Sequence, residues 1–167
     1  MEVSMGFMDW LTGNSNTLPT VTTILPDLAK QEIYQGRLPQ LNTTNIFLKS
    51  GETCCFIDKA ILMKQKVTKN YQRIGYSVPG LFKGTRINVG NMTPKERVHT
   101  EYFRGIIYIT NKRIIFQAQQ NGFDKQHRYI SAVMPYSNAI ELQYGNTTHQ
   151  LLVPDGGVVA KAINLVQ

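Results

Sequence analysis

The sequence contains few charged residues and only two cysteines, and both features exclude certain classes of protein. Charged residues make up 17% of the 167 positions, and the two cysteines, Cys54 and Cys55, are adjacent. So few charges argue against a long solvated helix, and 42% hydrophobic residues argue against a wholly disordered chain. Two neighbouring cysteines supply no disulfide framework of the kind that holds small secreted domains together. We expect buried thiols in one domain that forms its own core.

Signals for export and for membrane insertion are also missing. Glu2 and Asp9 occupy the region where a signal peptide would carry positive charge. No apolar run approaches the ~20 residues needed to cross a bilayer. We therefore expect a cytoplasmic protein whose contact with membranes, if it has one, is peripheral.

Common catalytic motifs do not occur. The chain contains no G-x-G-x-x-G, Walker-type, H-E-x-x-H or G-x-S-x-G pattern. The histidines His99, His127 and His149 are far apart, so a metal site would need them to converge in space with one of the cysteines. We predict a protein that is not an enzyme, needs no cofactor or metal, and takes no small-molecule substrate.

The chain begins with an extension that contains a short predicted helix. The extension covers residues 1–45 and the helix residues 26–35, with Pro26 in the first turn and Gly36 just past the end. From residue 46 onwards the hydrophobic pattern has a period of two, which is typical of strands. Residues 46–167 are therefore the predicted domain.

Strands dominate this predicted domain. The clearest pair is 100–110 and 114–119, joined by a turn in which Asn111 is expected to adopt the left-handed conformation. Residues 93–96 predict a turn or a single helical turn, and the Gly and Pro residues between 68 and 90 predict short strands and turns. The other expected strands are 53–67, 128–133, 139–144 and 148–153, the last two joined at Gly145-Asn146.

The C-terminal residues predict a helix. Asp155 suits the N-cap, and apolar residues recur after it at helical spacing, namely Val158, Val159, Ala162, Ile163 and Val166. A helix of this length is marginal alone, so it must pack on the sheet. Many strands before one helix predict an α+β, mainly β fold, a strongly bent antiparallel sheet or barrel capped by the C-terminal helix.

One stretch resembles a known family. The motif Thr110-Asn111-Lys112-Arg113, between strands that contain Tyr108 and Phe116, resembles the strand–turn–strand signature of GRAM and bacterial pleckstrin-homology-like (PH-like) domains. The resemblance covers about residues 48–167 and implies a PH-like barrel, with Lys112 and Arg113 in structural roles. Residues 68–100 are longer than a minimal domain of this family needs. The family implies a binding module, but one such barrel serves lipids, phosphopeptides, proteins and oligomer contacts.

The net charge of +7 is concentrated in one segment. Between Lys59 and Arg86 there are seven basic residues and no acidic one. Four of them fall within ten positions on a predicted loop after the first long strand: Lys64, Lys66, Lys69 and Arg73. By analogy with lipid-binding PH-like domains, this loop is a candidate site for anionic headgroups, at about 1 kcal/mol per basic residue. The alternative is a solvated basic surface that only aids solubility.

A cluster near the N-terminus is a candidate partner-binding segment. It consists of the apolar residues Phe7, Met8, Trp10 and Leu11. The cluster either docks into a partner, a neighbouring copy or a membrane surface, or packs on its own domain.

We predict a non-catalytic PH-like binding or adaptor module, first of all for a protein partner or for self-assembly. Binding of anionic lipid through the basic loop is the alternative. Nucleic-acid binding ranks third, because no known nucleic-acid motif occurs and the C-terminal helix holds only Lys161 as a basic residue.

Overall fold

The structure is a computed structural model. It describes the backbone of residues 18–79 and 86–167 and the side chains of residues 18–70 and 95–167. Helix α1 is Asp27–Tyr34 and helix α2 is Gly156–Val166. The strands are β1 (Cys54–Pro79), β2 (Arg86–Thr110), β3 (Arg113–Ala118), β4 (Phe123–Gln126), β5 (Ala132–Pro135), β6 (Ala139–Tyr144) and β7 (Thr147–Leu152), with a 3-10 turn at His127–Tyr129.

The seven strands of the described residues form one antiparallel sheet. Their order is β4-β3-β2-β1-β7-β6-β5, so β4 and β5 are its two edges and the sheet is not closed within this part of the chain. Strand β1 meets β7 in the register Ile61 opposite Leu152. Strand β2 meets β3 in the register Ile107 opposite Phe116.

The chain divides into two compact units. One is Met1–Met63 with Tyr102–Gln167, here called the body, and the other is Lys64–Glu101, here called the ribbon. The long strands β1 and β2 contribute residues to both units.

The main core of the body lies between one face of its strands and the two helices. Strand residues alternate into it, as expected for a sheet with one buried face. From the helices, Ile33 of α1 and Val159 and Ile163 of α2 join it with no exposed surface. The predicted N-terminal extension therefore supplies part of the core. The largest strand residues in it are Phe56, Leu62, Ile107, Ile109, Ile114, Phe116, Ile140, Leu142 and Leu151.

Helix α2 starts where the sequence predicts. Asp155 is the N-cap, and its carboxylate accepts hydrogen bonds from the backbone N–H groups of Gly157 and Val158 at 3.0 and 3.3 Å. A Cβ at Gly156 would lie 2.1 Å from the carbonyl oxygen of Tyr136, so the first turn approaches the sheet at a distance that only glycine allows.

A second, smaller core lies on the opposite face of β1. Residues 18–25, here called the strap, begin at this face and end at Leu25, which belongs to the main core. Asp58 holds the strap by accepting from Thr23 Oγ1 at 2.9 Å and from Ile24 N at 2.8 Å. Leu18 and Val21 of the strap pack on a cluster of buried residues, Ile61, Met63, Ala139 and Leu152. The strap therefore covers apolar surface that would otherwise face water.

The ribbon corrects two predictions. Residues 93–96 are neither a turn nor a helical turn, since they continue β2. The segments 68–79 and 86–90 belong to two long strands instead of several short ones. Both strands of a two-stranded ribbon are edge strands, and on an edge strand every second N–H group points away from the partner strand. A proline at such a position removes no hydrogen bond between the strands, and glycine is also tolerated there.

Two predictions near the central hairpin are also wrong. Among the described residues, the non-glycine residue with positive φ is Asn121, at 59°. Asn111 instead uses its side chain to accept from Thr53 N and to donate to Gly51 O. Residues 127–129 form a 3-10 turn where a strand was expected from 128, and β4 was not anticipated. The helix near 26–35 and the strands joined at Gly145-Asn146 are confirmed.

The predicted fold class is confirmed as mainly β and antiparallel, with a C-terminal helix and a short helix on the N-terminal side. The PH-like assignment stays a prediction. Among the described residues, no helix is long and apolar enough to cross a membrane.

Candidate functional site

The ribbon carries most of the chain's excess charge. Its sequence holds eight basic and two acidic residues, a net charge of +6 out of +7 for the whole chain. The described side chains of residues 64–70 and 95–99 are exposed, except for half-buried Thr68. Because two strands alone enclose little apolar surface, these described side chains are available for contacts.

The four predicted anion-binding residues lie on a strand and not on a loop. Lys64, Lys66, Lys69 and Arg73 all belong to β1. Because successive side chains of a strand point to opposite faces, Lys64 and Lys66 lie on one face and Lys69 on the other. For Arg73, only the backbone lies within the described residues. The structure therefore does not gather the three described lysines on one face.

Two of these lysines have acidic partners on the neighbouring strand. Lys66 Nζ lies 3.5 Å from Glu101 and Lys69 Nζ lies 3.4 Å from Glu96. The segment 59–86 is free of acids in sequence, but strand pairing brings glutamates from β2 beside it. Exposed pairs of this kind contribute only about 0–1 kcal/mol, so both lysines are free to exchange partners.

Exposed valines accompany the charges. Val67 is 52% exposed and Val98 is 62% exposed. Isolated exposed apolar residues are ordinary. On a ribbon with charged neighbours, they nevertheless add apolar surface that a protein partner can bury.

The cations of the central hairpin are structural. Arg113 is 8% exposed and donates from Nε to Glu52 at 2.8 Å and from Nη2 to the carbonyl oxygen of Phe47 at 2.6 Å. It also pairs with Asp124. Lys112 Nζ donates to Ser50 O at 2.6 Å. Both side chains therefore hold the segment before β1 against the hairpin, in agreement with the role that the family resemblance implies.

Glu52 is the buried anion of this network. Burial by itself raises the pKa of its carboxyl group. The hydrogen bonds that it accepts from Arg113 and from Thr110 Oγ1, at 2.8 and 2.6 Å, outweigh burial and lower this pKa to about 2. The carboxylate is charged and fully bonded at neutral pH, which marks a structural group and not a proton donor.

The environments of the two cysteines and of buried His127 do not favour nucleophilic or acid–base chemistry. Both thiols are free and buried, and burial raises the pKa of Cys54 to about 11 and that of Cys55 to about 12. His127 Nε2 donates to Thr110 O at 2.7 Å, and burial lowers the pKa of its ring. Among the described residues, no group of three His, Cys, Asp or Glu side chains can hold a metal ion.

A groove lies on the strap side of the body, beside the smaller core. Strap residues Thr20, Val21 and Thr22 form one wall, and its volume is about 380 Å³. Lys59 from β1 and Arg104 from β2 provide exposed cations, and the strands also contribute Ala60, Ile61, Gly105 and Ile106. We call this site the strap groove.

Sequence reasoning missed the strap groove. Lys59 and Arg104 are 45 positions apart and meet only through the pairing of β1 with β2. The one feature of the sequence that could have indicated this groove is that Lys59 and Arg104 each interrupt an apolar run of their strand.

A second pocket is lined by Lys125 of β4, by residues 128–131 and by Tyr144 and Gly145 at the end of β6. Its volume is about 670 Å³, and its exposed cations are Lys125 and Arg128. The guanidinium of Arg128 lies 4.8 Å from the ring centre of Tyr129, an arrangement that keeps the cation extended over the ring. This pocket was also not anticipated, because residues 128–131 were predicted to belong to a strand and because only the fold brings them beside Lys125 and Tyr144.

The predicted partner-binding residues Phe7, Met8, Trp10 and Leu11 lie outside the described residues. The nearest described residue, Leu18, packs on the smaller core. Comparisons with family models, with curated proteins and with solved structures found no match to this chain.

Proposed function

We propose that the chain is a non-catalytic binding module whose ribbon docks an acidic protein partner. The observation that carries the proposal is the exposure, on a two-stranded ribbon of net charge +6, of cations together with Val67 and Val98. Cations attract and orient an acidic partner, and the valines add apolar area that is buried on contact.

Charge favours a different protein over a second copy of the chain. Two ribbons of net charge +6 repel each other, and the rest of the chain has a net charge of only +1. These net charges give the ribbon no overall electrostatic attraction to another copy of the chain. Of the two uses predicted from sequence, a separate partner therefore has more support than self-assembly.

The division of cations and valines over two faces also argues against a membrane as the main target, because strand alternation puts Val67 on the face opposite Lys64 and Lys66. A flat bilayer meets one face of a ribbon, so Lys69 points away when Lys64 and Lys66 point towards the lipid. A folded partner or an extended peptide can contact both faces. Anionic lipid and the backbone of nucleic acid stay as competing outcomes of the test.

The test starts from a peptide library selected on the immobilised protein. Affinity of the enriched peptides is measured by fluorescence polarisation for the wild type and for two charge-neutralised variants. The ribbon variant carries Lys64→Gln, Lys66→Gln, Lys69→Gln, Lys95→Gln and Arg97→Gln. Its matched control neutralises five body cations by Arg37→Gln, Lys49→Gln, Lys125→Gln, Arg128→Gln and Lys161→Gln.

We expect acidic peptides whose affinity falls at least about tenfold in the ribbon variant and less than about twofold in the control. The double variant Val67→Ser with Val98→Ser should bind the same peptides more weakly. It should not change co-sedimentation with phosphatidylserine vesicles or the gel shift of a short DNA duplex. Equal losses in the two neutralised variants would reject the ribbon as the site. Tighter, valine-independent binding of vesicles or duplex would reject a protein partner.

A further inference from the structure

The strap groove is a formed apolar site with a cationic rim. Nine residues line it and none is acidic, while Lys59 and Arg104 are both exposed. Lys59 Nζ donates to Thr22 Oγ1 at 3.3 Å, which holds the ammonium group beside the strap wall. The half-buried side chains of Val21 and Ile106 supply apolar surface in the lining of the groove. A suitable occupant is therefore apolar and carries a negative charge at one side.

We propose that the strap groove is the docking site of the chain's own residues 1–17. In this proposal one or more of the apolar side chains of Phe7, Met8, Trp10 and Leu11 cover the groove, and Asp9 lies near Lys59 or Arg104. The inference uses the body alone, so it stands or falls separately from the function proposed for the ribbon.

Charge is the first argument for this occupant. Residues 1–17 contain Glu2 and Asp9 and no lysine, arginine or histidine. This makes the segment the complement of a groove whose only charged lining residues are two cations. Asp9 lies directly between Met8 and Trp10, so one carboxylate and two large apolar groups arrive together.

Connectivity is the second argument. The groove wall begins at Thr20, ten positions after Trp10, and an extended chain of this length reaches up to about 33 Å. A tether of about ten residues corresponds to an effective concentration of about 1 mM. An intrinsic affinity of only about 0.1 mM would therefore keep the groove mostly filled. A free competitor needs a higher affinity or a high concentration to displace the segment.

The chain provides its own probe, because Trp10 is its single tryptophan. Quenching of Trp10 fluorescence by acrylamide is measured on the full-length protein, native and in urea. The groove variant is Lys59→Glu with Arg104→Glu, which changes two exposed side chains and leaves both cores intact. Its matched control is Arg37→Glu with Lys161→Glu, and circular dichroism melts check that all variants are folded.

We expect the quenching constant of the wild type to be at least about twofold lower in the native state than in urea. The constant of the native groove variant should be close to the urea value, and that of the native control variant should be as low as in the wild type. A second variant, Ile106→Asp, should act in the same direction by making the floor polar. If wild type and both groove variants are quenched equally, residues 1–17 do not occupy the groove and the proposal is overturned.

Two further measurements separate the chain's own segment from other occupants. Protection of Trp10 should not change when the protein is diluted about a hundredfold, because the contact is within one chain. Loss of protection on dilution would assign the contact to a second copy and overturn the proposal. A charge swap sharpens the result: Asp9→Lys should expose Trp10 in the wild type and restore protection in the groove variant. Failure of this rescue would contradict the assigned role of Asp9.

Discussion

The body and the ribbon use the same kinds of residue in opposite settings. In the body, the pair of Arg113 with Glu52 is buried, and Glu52 has no exposed side-chain surface. In the ribbon, Lys69 and Glu96 are 60% and 57% exposed at a separation of 3.4 Å. Removing one partner of a buried pair leaves a charge without water, whereas an exposed charge is resolvated at once. Charge is therefore architectural in the body and available for contacts in the ribbon.

The largest expected effect separates these two kinds of pair. Arg113→Met should lower the free energy of unfolding by about 3–5 kcal/mol, because the carboxylate of Glu52 stays buried without its cation. Urea titration followed by circular dichroism measures the change. A loss under about 1 kcal/mol would show that water reaches Glu52 and would remove the contrast with the ribbon.

The second effect is on acid stability. The folded pKa of Glu52 lies near 2 and its ordinary value near 4.5, so its contribution is complete above pH 4.5 and disappears as the pH falls towards 2. The loss is of the order of 3 kcal/mol. Burial lowers the pKa of His127 below 6.5, so protonation of this ring also favours unfolding, from a higher pH. Denaturant titrations along a pH series measure both.

Glu52→Gln is the control for acid stability. This variant should be less stable at neutral pH and should show a flatter dependence below pH 4.5, since it has no carboxyl group at this position to protonate. An unchanged slope would mean that other carboxylates carry the acid sensitivity.

The smallest effect is expected in the ribbon. Lys69→Met removes the pair with Glu96 and should change the free energy of unfolding by less than about 0.5 kcal/mol, with Lys66→Met behaving alike towards Glu101. The same urea titration applies. A loss comparable to that of Arg113→Met would show that the ribbon pairs are structural and would weaken the proposed binding role.

The sequence predicted correctly those features of the fold that depend on residues adjacent in the chain. Asp155 caps α2 as expected, and Gly145-Asn146 joins β6 to β7, because capping and tight turns depend on a few adjacent residues. The predicted turn at 93–96 failed because two-stranded pairing overrode the local preference of Pro94. At Asn111, the side chain bonds to Gly51 and Thr53, nearly sixty positions away, which no local rule contains.

The candidate sites depended even more on distant pairing. The basic residues 64–73 were visible in sequence, but the glutamates that pair with Lys66 and Lys69 come from β2. The strap groove joins three separate segments, around residues 21, 60 and 105, and nothing in any one of them indicates a cavity. Residue type predicted the chemistry of these surfaces, and strand order decided which residues share them.

Asp155 links the two helices, and this has a consequence for synthesis. Its carboxylate accepts from Tyr34 at 2.9 Å and lies 3.4 Å from Lys30, both on α1 and more than 120 positions earlier in the chain. The ribosome synthesises α1 long before α2, so α1 is exposed to solvent and lacks its contacts with α2 until α2 has left the exit tunnel. We expect nascent chains stalled before residue 155 to be sensitive to proteases throughout the body, and resistance to appear abruptly once α2 is free.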